Sequence, residues 1–155
     1  MKDGAPTYTN LDATGLKVGV ITARWNYQLT HSLRDGAIGR LMELGVAEQD
    51  IVSIDIGGSY ELPFTARHLI DTTEVDVVIP IGVLVKGSTM HFEYIAEAVS
   101  QGIMRVSLDT GVPVLFGVLT CLTEEQAKER AIGPGNHGPS WADTAVELGL
   151  MRKNA

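Results

Sequence analysis

Cysteine is almost missing from this sequence: Cys121 stands alone among 155 residues. One thiol excludes an internal disulfide framework, which suits a reducing compartment. Cys121 lies inside the apolar stretch VLFGVLTCL, where packing is a better reading than nucleophilic chemistry. No apolar run reaches the roughly 18 uninterrupted residues of a bilayer-crossing helix, so no membrane span is expected. Basic residues are short too: 12 Lys and Arg against 19 Asp and Glu leave a formal net charge of −7. That balance argues against a nucleic-acid partner, which needs a basic face. It leaves room for a small anionic ligand held by backbone amides and a local cation. Internal repeats and low-complexity tracts are absent, as are the Walker and G-x-G-x-x-G patterns. The opening MKDGAPTYTNLDATG has neither an apolar secretory core nor many positive charges, so a cytoplasmic location is expected.

What is present is the balance of a folded domain, with 45% hydrophobic and 20% charged residues. Residues 1–15 read as an N-terminal arm, poorly ordered unless tied down, and residues 16–155 as a single domain. LKVGVIT (16–22), IVSIDI (51–56), DVVIPIGVLV (76–85) and VPVLFGVLT (112–120) are four apolar, β-branched runs expected to be strands. Pro80 removes a ladder donor from the third, which predicts a bulge or a position near an edge. Between them the spacing predicts helices over 28–44, with Leu29, Leu33, Ala37, Leu41 and Leu44 on one face, over 61–71, and over 89–108. The third would turn Phe92, Ile95, Val99, Ile103 and Val106 to a core. Thr123 and Gln126 have the spacing of a capping box opening a helix that ends near Ile132, and residues 140–151 form the last helix. Strands without alternation, separated by helices, imply a parallel sheet covered on both faces. The expected fold is α/β, a doubly wound three-layer sandwich on a four-stranded parallel sheet, and its ligands bind at the carboxyl ends of the strands.

Four loops therefore carry the candidate chemistry. After the first strand, Trp25 could stack a planar heterocycle while Asn26 reads ring edges, or Trp25 could simply lid the core. After the second, Gly57-Gly58 allows close backbone approach, and Ser59, Tyr60 and Glu61 offer polar groups. A plain turn with Ser59 capping the next helix is the alternative. After the third, Gly87, Ser88 and Thr89 open a helix whose amides suit an anion. His91, in its first turn, is either packed in the core or a neutral ring exchanging protons. After the fourth, Arg130 either satisfies the helix terminus or grips a phosphate, and His137 sits in the loop GPGNHGP.

ARWN, GSYELP, IGVLVKGSTMHFEYIAEAVSQGIMRVSLDTGVPVLFGVLT, TEEQAKERA and GNHG, in this order, resemble the lumazine synthase family across about residues 16–151. Trp25, MHFEY and GNHG are most similar to its fungal-type members. The resemblance implies a flavodoxin-like α/β/α sandwich in homopentamers, in some members assembled into a sixty-subunit capsid, with active sites between neighbouring subunits. It implies riboflavin biosynthesis: 5-amino-6-ribitylaminouracil condenses with 3,4-dihydroxy-2-butanone 4-phosphate to 6,7-dimethyl-8-ribityllumazine, without metal or organic cofactor. By the same resemblance Trp25 stacks on the pyrimidine with Asn26 beside it, and Ser59, Tyr60 and Glu61 hold the ribityl chain. The backbone around Val83 and Leu84 binds ring polar atoms. Gly87, Ser88 and Thr89 cradle the phosphate with Arg130, His91 shuttles protons, and Phe116 and His137 reach in from the adjacent subunit. Arg130-Ala131-Ile132 stands where the family commonly has Arg-Ala-Gly. A flavin-binding module of the same fold, with weak or no catalysis, is the competing expectation.

Overall fold

The computed structural model describes residues 4–155. In these residues four strands, β1 (Val18–Ala23), β2 (Ile51–Ile56), β3 (Val77–Val85) and β4 (Gly117–Cys121), alternate with helices. The helices are α1 (Tyr27–Glu43), α2 (Leu62–Thr72), α3 (His91–Thr110), α4 (Glu124–Ala131) and α5 (Gly138–Lys153). All neighbouring strands pair in parallel, in the order β2-β1-β3-β4. On one face Leu33, Ala37 and Leu41 of α1 pack with Ala127 of α4 and Val146 of α5 against Val18, Val20, Ile79 and Ile81. On the other, Leu62, Ala66 and Leu69 of α2 and Val99 and Ile103 of α3 cover Ile21, Val78 and Val118. The alternation of odd and even strand residues between two apolar layers is the period-two geometry of a strand buried on both sides. This is the three-layer parallel sandwich expected from the sequence.

Element ends follow local chemistry. Gly45, at φ 112°, lies just beyond α1, and Gly111, at φ 70°, ends α3, which runs to Thr110 rather than Leu108. Thr123 Oγ1 accepts from Gln126 N at 3.2 Å, as a capping box requires. The Gln126 side chain, however, accepts from Leu122 N at 2.8 Å, one residue beyond the reciprocal partner.

Two expectations are corrected. Pro80 lies neither at an edge nor in a bulge but inside the central strand β3, paired in unbroken register with Ile21. The missing donor is accommodated on the β4 side, where pairing lapses between the Val78–Val114 bridge and the Ile81–Gly117 pair. Second, β2 is a sheet edge and only half covered, so its polar Ser53 and Asp55 alternate with apolar residues. The arm is tied down against the domain. Ala13 and Leu16 are buried, Ala13 N donates to Leu44 O at 2.9 Å, and Tyr8 Oη lies 2.8 Å from Thr144 Oγ1.

Candidate active site

The carboxyl ends of β1, β2 and β3 open into a cleft of about 780 Å³. Its first wall is the loop after β1. Arg24 N donates to Ile56 O at 2.8 Å and Trp25 N to Gly57 O at 3.2 Å, so this loop is stitched to the end of β2. The Trp25 side chain is 76% exposed, which overturns the reading of it as a lid on the core. It lies over Gly58, where a Cβ would stand 3.0 Å from Trp25 Cδ1. Asn26 takes the left-handed conformation at φ 60°, ψ 46° and its Nδ2 donates to Val83 O at 2.8 Å. Asparagine is among the few side chains that tolerate that backbone.

Residues 58–61 make the second wall. Glu61 Oε2 accepts from Gly58 N at 2.9 Å, closing the turn. Ser59 is not the cap of α2: Glu61 holds that position, Gly58 precedes the 3-10 turn Ser59–Glu61, and Ser59 is 5% exposed. Its hydroxyl sits over Gly82 of β3, where any Cβ would overlap Ser59 Oγ. Tyr60 and Glu61 are exposed. Val83, Leu84 and Val85 form the floor.

The third side is the start of α3. His91 is exposed and lines the cleft, so the core-packed alternative is overturned. The physical reason is helical phase: α3 begins at His91, which lies about 80° and about 120° round the helix from Val99 and Ile103, off the face that buries them. Gly87, Ser88 and Thr89 form an exposed turn beside the cleft, where Thr89 Oγ1 accepts a long 3.4 Å bond from His91 N. Lys86 and Glu93 span this turn in a 2.7 Å ion pair, and that contact holds the Glu93 carboxyl below the usual carboxylate range. The pair was not singled out from the sequence, nor was Tyr94, which joins Ile95 and Ala98 along the cleft. The signal was available, since positions 91, 94, 95 and 98 share one helical face.

The remaining candidates lie elsewhere. Arg130 and His137 line a separate cavity of about 240 Å³ against β4, with Thr120, Cys121 and Gln126. Arg130 Nη1 donates to Gln126 O at 2.9 Å and lies 3.6 Å from Glu129. His137 N donates to Arg130 O at 2.9 Å, and its ring meets Trp141 edge-on at 6.1 Å. Partial burial, then the neighbouring Arg130 charge, push the His137 imidazole below its ordinary value. Burial pushes the Cys121 thiol up, as for a packing residue. Phe116, on the approach to β4, is 45% exposed. None of Phe116, Arg130 and His137 lines the cleft in this chain. Arg130 closes α4 beside the edge strand β4, while the Gly87–Thr89 turn follows the neighbouring strand β3 and does not line the cavity that Arg130 lines. Among the described residues no three His, Cys, Asp or Glu are grouped as metal ligands, and no helix is long and apolar enough to cross a membrane.

The family model described as 6,7-dimethyl-8-ribityllumazine synthase matches residues 15–153. The chain belongs to the lumazine synthase family. It is 47% identical over 148 residues to the 6,7-dimethyl-8-ribityllumazine synthase of Schizosaccharomyces pombe, covering 94% of this chain and 93% of that one. It is 39% identical to the enzyme of that name from Pyricularia oryzae, with 99% and 96% covered. With that of Porphyromonas gingivalis identity is 45%, with 88% and 86% covered. As a lumazine synthase family member the chain spans most of the length of these relatives.

Proposed function

We propose that this chain is a 6,7-dimethyl-8-ribityllumazine synthase acting in riboflavin biosynthesis. The amine of 5-amino-6-ribitylaminouracil attacks the ketone of 3,4-dihydroxy-2-butanone 4-phosphate and water leaves to form a Schiff base. Phosphate is then eliminated, and the ring closes with loss of a second water. The observation that carries this reading is the cleft itself. An exposed indole, a polar turn, a strand-end floor and a histidine face one space at the ligand edge of a parallel sheet.

In this reading the pyrimidine stacks on Trp25, and its polar atoms meet the backbone of Val83 and Leu84. The Val83 carbonyl is shared with Asn26, which acts chiefly by shaping the loop. The ribityl chain lies along Ser59, Tyr60 and Glu61. Gly87, Ser88 and Thr89 take the phosphate, and His91 moves protons between the reacting carbons and nitrogens. The attacking amine needs no activated side chain, so most of the acceleration comes from holding two substrates in register. Proton transfer adds a factor of ~10²–10⁴.

Arg130, Phe116 and His137 complete the site from a neighbouring copy in a homopentamer. Arg130 and His137 share a cavity on the β4 edge, Phe116 is partly exposed just before β4, and none lines its own chain's cleft, which supports this assignment. It moves Arg130 from the chain that supplies the turn to the chain next to it. A single buried thiol fits a reducing, cytoplasmic setting. Absorbance at the lumazine band after mixing the two pure substrates with the protein tests the proposal; no product formation overturns it.

A further inference from the structure

One partly buried polar cluster, with a buried histidine and a carboxylate about one third exposed, is not used by this mechanism. His31, 5% exposed, sits one turn into α1, and its Nε2 lies 2.8 Å from Asp55 Oδ2 of β2. Its Nδ1 lies 2.9 Å from Tyr27 O and 3.1 Å from Thr30 Oγ1. The ring stacks on Tyr27 at 3.6 Å and 20°. The other Asp55 oxygen is 3.8 Å from Arg34 Nη1, and Arg24 Nη1 donates to Asp55 O at 3.4 Å. Thr22, opposite Asp55 in the β1–β2 register, is fully buried with Oγ1 unpartnered among the described residues.

Such a cluster is a poor way to gain stability. Burying polar groups costs free energy that pairing only offsets, and apolar residues of similar size commonly serve as well. What a paired histidine and carboxylate do supply is a fixed distance and direction. The two ends of this pair lead directly to the two walls of the cleft. Tyr27, gripped through its ring and its carbonyl, follows Trp25 and Asn26 in the chain. Asp55 precedes Gly57, which receives Trp25 N, and the turn at 58–61.

We propose that His31 and Asp55 are a positioning pair that sets the Trp25 wall against the wall at residues 58–61, and thereby the affinity for the heterocyclic substrate. This rests on the reading that Trp25 stacks that substrate. The pair touches neither reacting atoms nor phosphate, so it acts on one KM rather than on chemistry.

Steady-state kinetics on the full chain, with each substrate varied in turn, test it for His31→Gln, Asp55→Asn, the double variant and Trp25→Ala. The KM for the pyrimidine substrate rises about tenfold in each single variant, the size expected for one lost hydrogen bond to a charged group. The double variant is little worse than either single one, while kcat and the KM for the sugar phosphate stay close to the parent's. An unchanged pyrimidine KM overturns the proposal if Trp25→Ala raises it. So does a parallel loss in both KM values with a falling Tm, which marks general loosening. If Trp25→Ala itself leaves that KM unchanged, the stacking reading falls, and the positioning proposal with it. Should His31→Gln fail to fold, Asp55→Asn on the half-covered edge strand gives the same decision.

Discussion

The side-chain amide of Asn26 donates to the carbonyl of Val83 across 2.8 Å, tying the loop after β1 to the central strand that floors the cleft. The same residue is left-handed at φ 60°. These two contributions separate by substitution. Asn26→Gly keeps the backbone and loses the bond, costing about 1 kcal/mol in urea denaturation. Asn26→Ala also strains the backbone and costs about 1 kcal/mol more. Equal losses would show that the left-handed conformation is not what Asn26 provides.

Trp25 is exposed, so its removal should leave the fold intact and act on binding. Trp25→Ala weakens the pyrimidine substrate by about 1–3 kcal/mol, the usual worth of a base stacked on an aromatic ring. Trp25→Phe recovers much of this. The check is the KM for the pyrimidine substrate beside an unchanged Tm.

His91→Ala lowers kcat by ~10²–10⁴ without destabilising the exposed start of α3. Arg130→Ala raises the KM for the phosphate-bearing substrate. Because His91 lines the cleft and Arg130 the β4 edge, the two variants carry complementary defects. Co-refolding His91→Ala with Arg130→Ala restores part of the parent activity. If it does not, the site is not assembled from two copies in this way.

His137 gives a pH prediction with a definite sign. Its folded value lies below the ordinary one because the ring is partly buried and faces Arg130. As pH falls, the unfolded chain takes up the proton first. The contribution of His137 to stability is therefore full above about 6.5 and is lost as pH drops toward its folded value. Arg130→Met raises the His137 titration midpoint, read by NMR, and narrows that window. A midpoint unmoved by Arg130→Met would leave burial as the sole cause.

Much of this was legible in residue order. IVSIDI is β2 residue for residue, because β-branched residues between turn signals specify a strand with little help from elsewhere. The β4 run was read too early: residues 112–116 approach β3 through only the bridge at Val114, a pairing decided by Pro80 across the sheet. His91 was ambiguous because one residue of helix phase separates a buried position from an exposed one. The His31–Asp55 pair was invisible, since a histidine in one element and an aspartate in the next become neighbours only once the sheet forms. Chain order says which loops reach the ligand edge but not which lie close enough to share a ligand.

The distance between the cleft and the cavity on the β4 edge has one more consequence. In the shared site proposed above, each chain supplies two unlike halves, neither able to turn over substrate by itself. Specific activity should then depend on protein concentration, vanishing on dilution while circular dichroism remains that of the folded chain. Loss of function would precede loss of fold.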